Sequence, residues 1–260
     1  MAGGITLYLL MKHGLLSPDH VVSLRKIPDL NRVEYIPTRG LHIGALALHR
    51  QLLESSAVRE HYPMLWRAAS ILGSVQVRNR GTVGGNLSHG DSASDLAPVL
   101  LALDAKAHVV GTSGRRQIPL EEFFVDLYET ALAPDELLEA IDVPPPPEGA
   151  GMSYQKFERT AVDHPVACAA ALCHKNAHTP WEARLALGAL APRPVRAHAL
   201  EAALAGHEIT DQTLDRALGR VQEAIHPVSD LKGSASFKRE LGEVLARRAL
   251  LEARSRAHPG

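Results

Sequence analysis

One stretch limits this chain more than any other. Residues Gln76 to Leu96 read Gln-Val-Arg-Asn-Arg-Gly-Thr-Val-Gly-Gly-Asn-Leu-Ser-His-Gly-Asp-Ser-Ala-Ser-Asp-Leu. In 21 positions the stretch holds four glycines, four hydroxyl residues and two asparagines, and apolar helix-like segments flank it on both sides. It is too polar and too flexible for a core, so it reads as a shaped loop. At its centre Thr82-Val83-Gly84-Gly85-Asn86 can turn successive backbone N–H groups, a hydroxyl and a side-chain amide toward one point. Two adjacent residues without Cβ also let a ligand approach the backbone closely. The ligand this favours is an anion, with a diphosphate as the best fit.

A second glycine pair stands in Ala2-Gly3-Gly4-Ile5-Thr6-Leu7, followed by the apolar run Leu7 to Met11, which reads as the start of a helix or a strand. As a helix, its free N–H groups and dipole would face the same anion, and two loops would share one diphosphate. A Gly-Gly pair by itself is commonly a plain turn.

The rest of the chain reads as alternating strands and helices. Val21 to Leu24 and Leu41 to Ala45 have strand character, and helical patterns begin at Ala47 and at Met64, the latter stopped by Gly73-Ser74. Beyond the central loop, Leu96, Val99, Leu100 and Leu103 recur at helical spacing. Ser94 and Asp95 precede them where an N-cap belongs, and Asp95 has two readings: a helix cap, for which Asp is a preferred residue, or a carboxylate placed to accept hydrogen bonds from a sugar. Gly111 to Gly114 lies between two strand-like segments and signals a hairpin. Pro144 to Pro147 can continue neither a helix nor a central strand and mark the domain boundary. After them come three strands, Tyr154 to Glu158, Ala167 to Cys173 and Arg184 to Leu190; the middle one is nearly all apolar and so expected to be covered on both faces. Helical patterns close the chain at Ala197 to Ala205, Asp211 to Ile225 and Ser234 to Ala253, the last with Phe237, Leu241, Val244 and Leu245 as its apolar stripe.

Composition removes several classes of function. With 260 residues, 45% of them hydrophobic, and a formal net charge of -1, the chain has no basic stripe that would suit nucleic acid. No apolar run is long enough to span a membrane and no secretory pattern is visible, so a reducing, cytoplasmic setting is expected. The two cysteines, Cys168 and Cys173, stand in an apolar strand near His174 and His178, at a spacing that matches no common zinc pattern. They read as core thiols, and no metal site is expected.

These segments together resemble a known family, the FAD-binding medium subunits of molybdenum hydroxylases, which include the flavoproteins of carbon monoxide dehydrogenase and xanthine dehydrogenase. The resemblance runs through Ala2-Gly3-Gly4, the stretch from Gln76 to Asn86, Ser94-Asp95-Leu96, Leu137 to Ile141, Lys156, and Gly233 to Leu250, and so covers nearly the whole chain. It implies an α+β chain: a two-part FAD-binding domain of the PCMH type over residues 1–148, divided near 45–55, then a C-terminal domain over 152–255 made of a three-stranded antiparallel sheet with helices. It implies FAD as cofactor. Ala2, Gly3, Gly4, Ile5 and Thr6 on one loop, and Thr82, Val83, Gly84, Gly85 and Asn86 on the other, would cradle the diphosphate. Asp95 would meet the sugar, and Leu138 and Lys156 would lie near the flavin half. Without the resemblance, Lys156 reads as a strand lysine reaching solvent.

In such enzymes electrons pass from a large molybdopterin-binding subunit through a small iron-sulfur subunit to FAD on the medium one, and then to an external acceptor. No residue of this chain is then expected to act as a general base, and the protein's part is to hold and tune the cofactor. Members usually carry a strand and helix ahead of the Ala-Gly-Gly motif. This chain starts on the motif, with Ile5 where a polar residue is usual, so a frayed first loop and weakened FAD retention are expected. A cysteine-rich insert for an extra iron-sulfur cluster is not present in the sequence. The alternatives are a flavin-free structural subunit or truncated relic and, less in keeping with the long C-terminal region, a lone flavin reductase.

Overall fold

The computed structural model describes residues 1–175 and 181–258. Helix α1 (Ile5–Lys12) leads into a turn-rich stretch, then strands β1 (Val33–Ile36) and β2 (Gly40–Gly44) form a hairpin. Six helices follow: α2 (His49–Glu54), α3 (Ser56–His61), α4 (Pro63–Ile71), α5 (Val75–Arg78), α6 (Val83–Ser88) and α7 (Leu96–Ala102). Next come β3 (Lys106–Gly111), β4 (Gly114–Pro119), the short helix α8 (Leu120–Phe123), a ribbon of β5 (Phe124–Asp126) and β6 (Glu129–Thr130), and β7 (Leu137–Val143). The first sheet is antiparallel with order β1-β2-β7-β3-β4. Its strands alternate as a half-buried sheet must. Leu41, Ile43, Ala107, Val109, Ile141 and Val143 face the core, while His42, His108 and Asp142 face outward, with the Asp142 carboxylate 2.6 Å from each of the two imidazoles.

Pro144 to Pro147 carry the chain from this sheet to the second, formed by β8 (Gly151–Phe157), β9 (Ala167–His174), β10 (Glu182–Gly188) and the two-residue β11 (Val195–Arg196) in the order β11-β10-β9-β8. The three expected strands are there, with β11 added at an edge. β9 is covered on both faces, as its unbroken apolar run requires. Cys168, Ala170 and Leu172 join the core built with α4 and α7, whereas Ala167, Ala169, Ala171 and Cys173 join a second core with the closing helices. Burial pushes both thiols up to about 12, so they are packed groups and not reactive ones. Among the described residues no cluster suited to a metal ion is found, and His178 lies outside them.

Helices α9 (His198–Leu204), α10 (Asp211–Ala217) and α11 (Ala235–Arg256) complete the chain, with a 3-10 segment at Leu218–Glu223 where one continuous helix to Ile225 was expected. The stripe of α11 also differs from its sequence reading. Phe237 and Val244 are about two-fifths exposed, and the face that packs is Gly242, Leu245, Ala246, Ala249, Leu250 and Ala253. The physical reason lies in its partners: half of β9 is alanine, and a Cβ on Gly151 of β8 would stand 1.9 Å from the Ala253 carbonyl. Helix and sheet approach so closely that small residues, not large ones, make the contact. The expected strand at Val21 to Leu24 is likewise absent. Its main-chain hydrogen bonds are with Met1 and, at the Leu24 carbonyl, with Ile27, and Val21 and Val22 stay exposed, since no strand among the described residues pairs with it.

Candidate functional site

A cleft of about 680 Å³ opens where the two glycine loops meet. Gly4 is the N-cap of α1 at φ 76°, a conformation that favours glycine, and it turns the chain so that the helix starts at the cleft. Ile5, Thr6 and Leu7 have no preceding turn to accept their N–H groups, so these donors point out of the helix start. The second loop lies against the first. A Cβ on Gly3 would stand 2.3 Å from the Arg80 carbonyl oxygen, and the Arg80 Nε donates to the Gly3 carbonyl at 3.1 Å. A Cβ on Gly85 would be 2.8 Å from Thr82 Oγ1 and 3.6 Å from the Ala2 Cβ.

The central loop is organised differently from its sequence reading. Its N–H groups are not free for a ligand: Val83 and Gly84 donate to the Ala47 and Ala45 carbonyls at 2.9 Å each, Gly85 donates to Thr82 Oγ1 at 3.1 Å, and Asn86 to the Thr82 carbonyl at 3.0 Å. Val83 and Gly84 are buried, and they tie the loop to the end of β2. What this loop presents is therefore the Thr82 and Asn86 side chains and the bare backbone of Gly85, while the free N–H donors belong to α1.

Asp95 lines the cleft and is not a cap. Its side chain makes no capping bond; the Ser94 Oγ accepts from the Ala97 N–H at 3.2 Å and donates to Asn86 Oδ1 at 2.6 Å. The Asp95 carboxylate, only 5% exposed, instead accepts from the Tyr154 hydroxyl at 2.7 Å and pairs with Lys156 Nζ at 3.2 Å. Burial raises its pKa above the ordinary carboxylate range, and the Lys156 charge and the Tyr154 hydrogen bond pull it back down. Lys156 does not reach solvent. Its side chain is 2% exposed, its ammonium stands 2.8 Å from Glu158 Oε2, and it donates to the Asp163 carbonyl at 2.8 Å.

The structure thus brings together at the cleft Ala2, Gly3, Gly4, Ile5, Thr6, Thr82, Gly85, Asn86 and Asp95. Val83 and Gly84 lie behind it, and Lys156 reaches it through Asp95. Leu138 is placed apart, on β7 opposite Val109 and in the core. Three residues that the sequence reading did not single out, Arg80, Tyr154 and His49, are also built into the site, and Ser94, read as a cap, gains a second part there. Arg80 clamps the two loops, Ser94 orients Asn86, Tyr154 holds Asp95, and His49 lies in the lining with its Nδ1 buried and unpartnered among the described residues. Burial, and secondarily Arg78, pushes the His49 imidazole down to about 4, so it is neutral at physiological pH. Tyr154 had a legible signal, since it stands two residues before Lys156 on one strand and hence on the same face. Nothing local marks His49.

Comparisons with known proteins place the whole chain. Residues 1–146 match the family described as the FAD binding domain in molybdopterin dehydrogenase, and residues 152–253 match the CO dehydrogenase flavoprotein C-terminal domain. The chain is 33% identical over 256 residues to the nicotine 6-hydroxylase medium subunit of Paenarthrobacter nicotinovorans, covering 98% of this chain and 89% of that one. It is 30% identical over 255 residues to the xanthine dehydrogenase FAD-binding subunit of Escherichia coli O157:H7, covering 97% and 87%. Among solved structures, carbon monoxide dehydrogenase from Hydrogenophaga pseudoflava matches with a TM-score of 0.95 at 33% identity, over 99% of this chain and 90% of that one.

Proposed function

The chain belongs to the FAD-binding flavoprotein family of the molybdopterin dehydrogenases, an oxidoreductase family, and on that premise we propose that its own task is electron transfer. It holds FAD in the cleft between the two glycine loops and passes electrons from the iron-sulfur clusters of a small partner subunit to an external acceptor. A large molybdopterin-binding subunit completes the assembly. The medium-subunit names of its relatives support these partners. Two buried free thiols, and no helix among the described residues long and apolar enough to cross a membrane, suit a cytoplasmic setting.

The observation that carries this reading is the meeting of the two loops, with the Gly3 backbone against that of Arg80 and Gly85 facing Ala2. This packing sets the start of α1 beside the bare backbone of Gly85 at the cleft, an arrangement that suits a diphosphate. The first-turn N–H groups of α1, with Thr6, Thr82 and Asn86, supply donors to it; Asp95 accepts from a sugar hydroxyl; the apolar side chains of Leu9, Leu72 and Val77 line the cleft as a flat ring system requires. The unpartnered Nδ1 of His49 adds one more polar atom in want of a partner. FAD, when bound, supplies the redox chemistry, and these residues bind, orient and shield it. The proline run between Val143 and Gly151 supports the division into domains 1–148 and 152–255, with the division near 45–55 falling after β2.

The test is purification of the chain alone and with its genomic neighbours. Stoichiometric flavin identified as FAD, together with copurification of a molybdopterin protein and an iron-sulfur protein, is the expected result. Failure to take up FAD on reconstitution would favour the flavin-free structural subunit instead.

A further inference from the structure

We propose that Tyr154, on the first strand of the second sheet, is a positioning residue for cofactor binding: it fixes the Asp95 carboxylate for the sugar hydroxyl, so that the C-terminal half of the chain governs affinity at a cleft built mainly by the N-terminal half. The inference rests on the FAD reading above and adds to it a residue that does not touch the cleft.

The geometry is specific. Asp95 directly precedes α7, Tyr154 and Lys156 stand two apart on β8, and 59 and 61 residues of chain separate them from the carboxylate. Oδ1 takes the Tyr154 hydroxyl at 2.7 Å and the Lys156 ammonium at 3.2 Å, while Oδ2 has only a long contact of 3.4 Å to the same ammonium. An ionised carboxylate has about four acceptor sites, so Oδ2 keeps capacity for a donor from the cleft that Asp95 lines. A lysine alone would hold the group by charge without fixing its plane, because an ammonium is a rotatable point donor. The tyrosine has two torsions and is itself buried, so its hydroxyl sets the carboxylate's orientation.

The second consequence concerns protonation. The groups that face Asp95 are Tyr154 and Lys156 from β8, His164 from the rim loop, and Cys168 from β9 beside the Tyr154 hydroxyl, with Glu158 and Asp163 around the lysine. Burial favours a neutral Asp95, and the Tyr154 hydrogen bond is one of the few forces opposing it. Removing that bond raises the pH at which the carboxylate is lost as an acceptor.

The experiment titrates the full apo chain with FAD from pH 5 to 8 in the wild type, Tyr154→Phe, Asp95→Ala and the double variant, with thermal stability of each apo form. A hydrogen bond to a charged group sets the scale, and Tyr154→Phe is expected to weaken FAD roughly tenfold at neutral pH and further at acid pH. In the Asp95→Ala background the same change should leave affinity unaltered. An equal loss in both backgrounds, or a wild-type pH profile in Tyr154→Phe, overturns the proposal by making Tyr154 a packing residue only. Should Tyr154→Phe fail to fold, 3-fluorotyrosine at 154, a stronger donor, is expected to shift the acid limb of binding to lower pH, and an unmoved limb counts against the proposal. A wild type that binds no FAD would overturn the function proposed above, a result separate from any difference between variants.

Discussion

Gly3→Ala tests the two-loop site with the smallest possible change. Gly3 is buried and its φ is not in the left-handed region, so alanine meets no backbone strain there and the effect is steric alone. The new Cβ would stand 2.3 Å from the Arg80 carbonyl oxygen and 3.1 Å from the Gly81 Cα, and both are backbone atoms that cannot swing aside. Ordinary contact requires the loops to part by about 1 Å. A shift of that size takes an N–H···O bond from about 2.9 Å to beyond useful range, and each such bond to a charged group is worth about 1.5–3 kcal/mol. Loss of one or two donors to the diphosphate therefore costs about 3 kcal/mol, or roughly a hundredfold in Kd. Helix α1 buries none of its residues, so the displaced loop should lower apo stability by less than about 1 kcal/mol. The assay pairs FAD titration by flavin fluorescence with thermal melts of the apo protein. Affinity within twofold of wild type would refute the reasoning, since the loops could then not both lie against the ligand.

The other substitutions separate fold from site. Gly84→Ala places a Cβ 2.5 Å from the Ala45 Cβ at the end of β2 and should lower apo stability by about 1–3 kcal/mol in denaturant melts. Gly85→Val meets Thr82 Oγ1 and faces Ala2, so FAD binding should be abolished while the apo melt stays near wild type; retained stoichiometric FAD sinks the cradle. Ser94→Ala should cost about 1 kcal/mol of stability through loss of the α7 cap, whereas Asp95→Ala, which removes no cap, should weaken FAD binding; a Ser94→Ala protein as stable as wild type would show that the cap is unimportant. His49 is held near 4 when folded against an ordinary value of 6.5, so the unfolded chain takes up a proton first as pH falls. Its contribution to stability is therefore present above about 6.5 and is lost by about pH 4, to a total of about 3 kcal/mol. His49→Gln should flatten that part of the stability curve, and unchanged pH dependence would contradict it.

Much of the fold was legible because local pattern and final burial coincide. The alternation in β2, the unbroken apolar run of β9, the glycine-bounded hairpin between β3 and β4, and the helical spacing of Leu96, Val99 and Leu100 are each satisfied by the neighbour that the pattern implies. Where the sequence misled, the missing information was the partner. Val21 to Leu24 has the composition of a strand and no sheet to join, and α11 has large apolar residues on one side but faces an alanine-rich strand that selects its small ones.

The site divides along the same line. That two glycine loops meet could be read from residue types, because only residues without Cβ allow backbones so close, and both loops carry them in pairs. How each loop uses its N–H groups could not. Val83 and Gly84 donate to carbonyls some 36 to 39 residues earlier in the chain, so the tertiary fold takes up the donors that the motif appeared to offer a ligand. Asp95 shows the same principle with charge. At the start of a helix Asp95 shares the cap position with Ser94, and local sequence alone does not choose between a cap and a sugar-binding carboxylate. In the fold, Ser94 takes that task at hydrogen-bonding distance, and the carboxylate is released to Tyr154 and Lys156 on another sheet. A buried acid held by a phenol and an ammonium, yet still lining a cleft, costs more to build than an exposed cap. That cost is spread over three side chains from two parts of the chain, and it is recovered only if the carboxylate acts on something in the cleft, which is why affinity for FAD, and not stability, is the quantity in which its removal should register most.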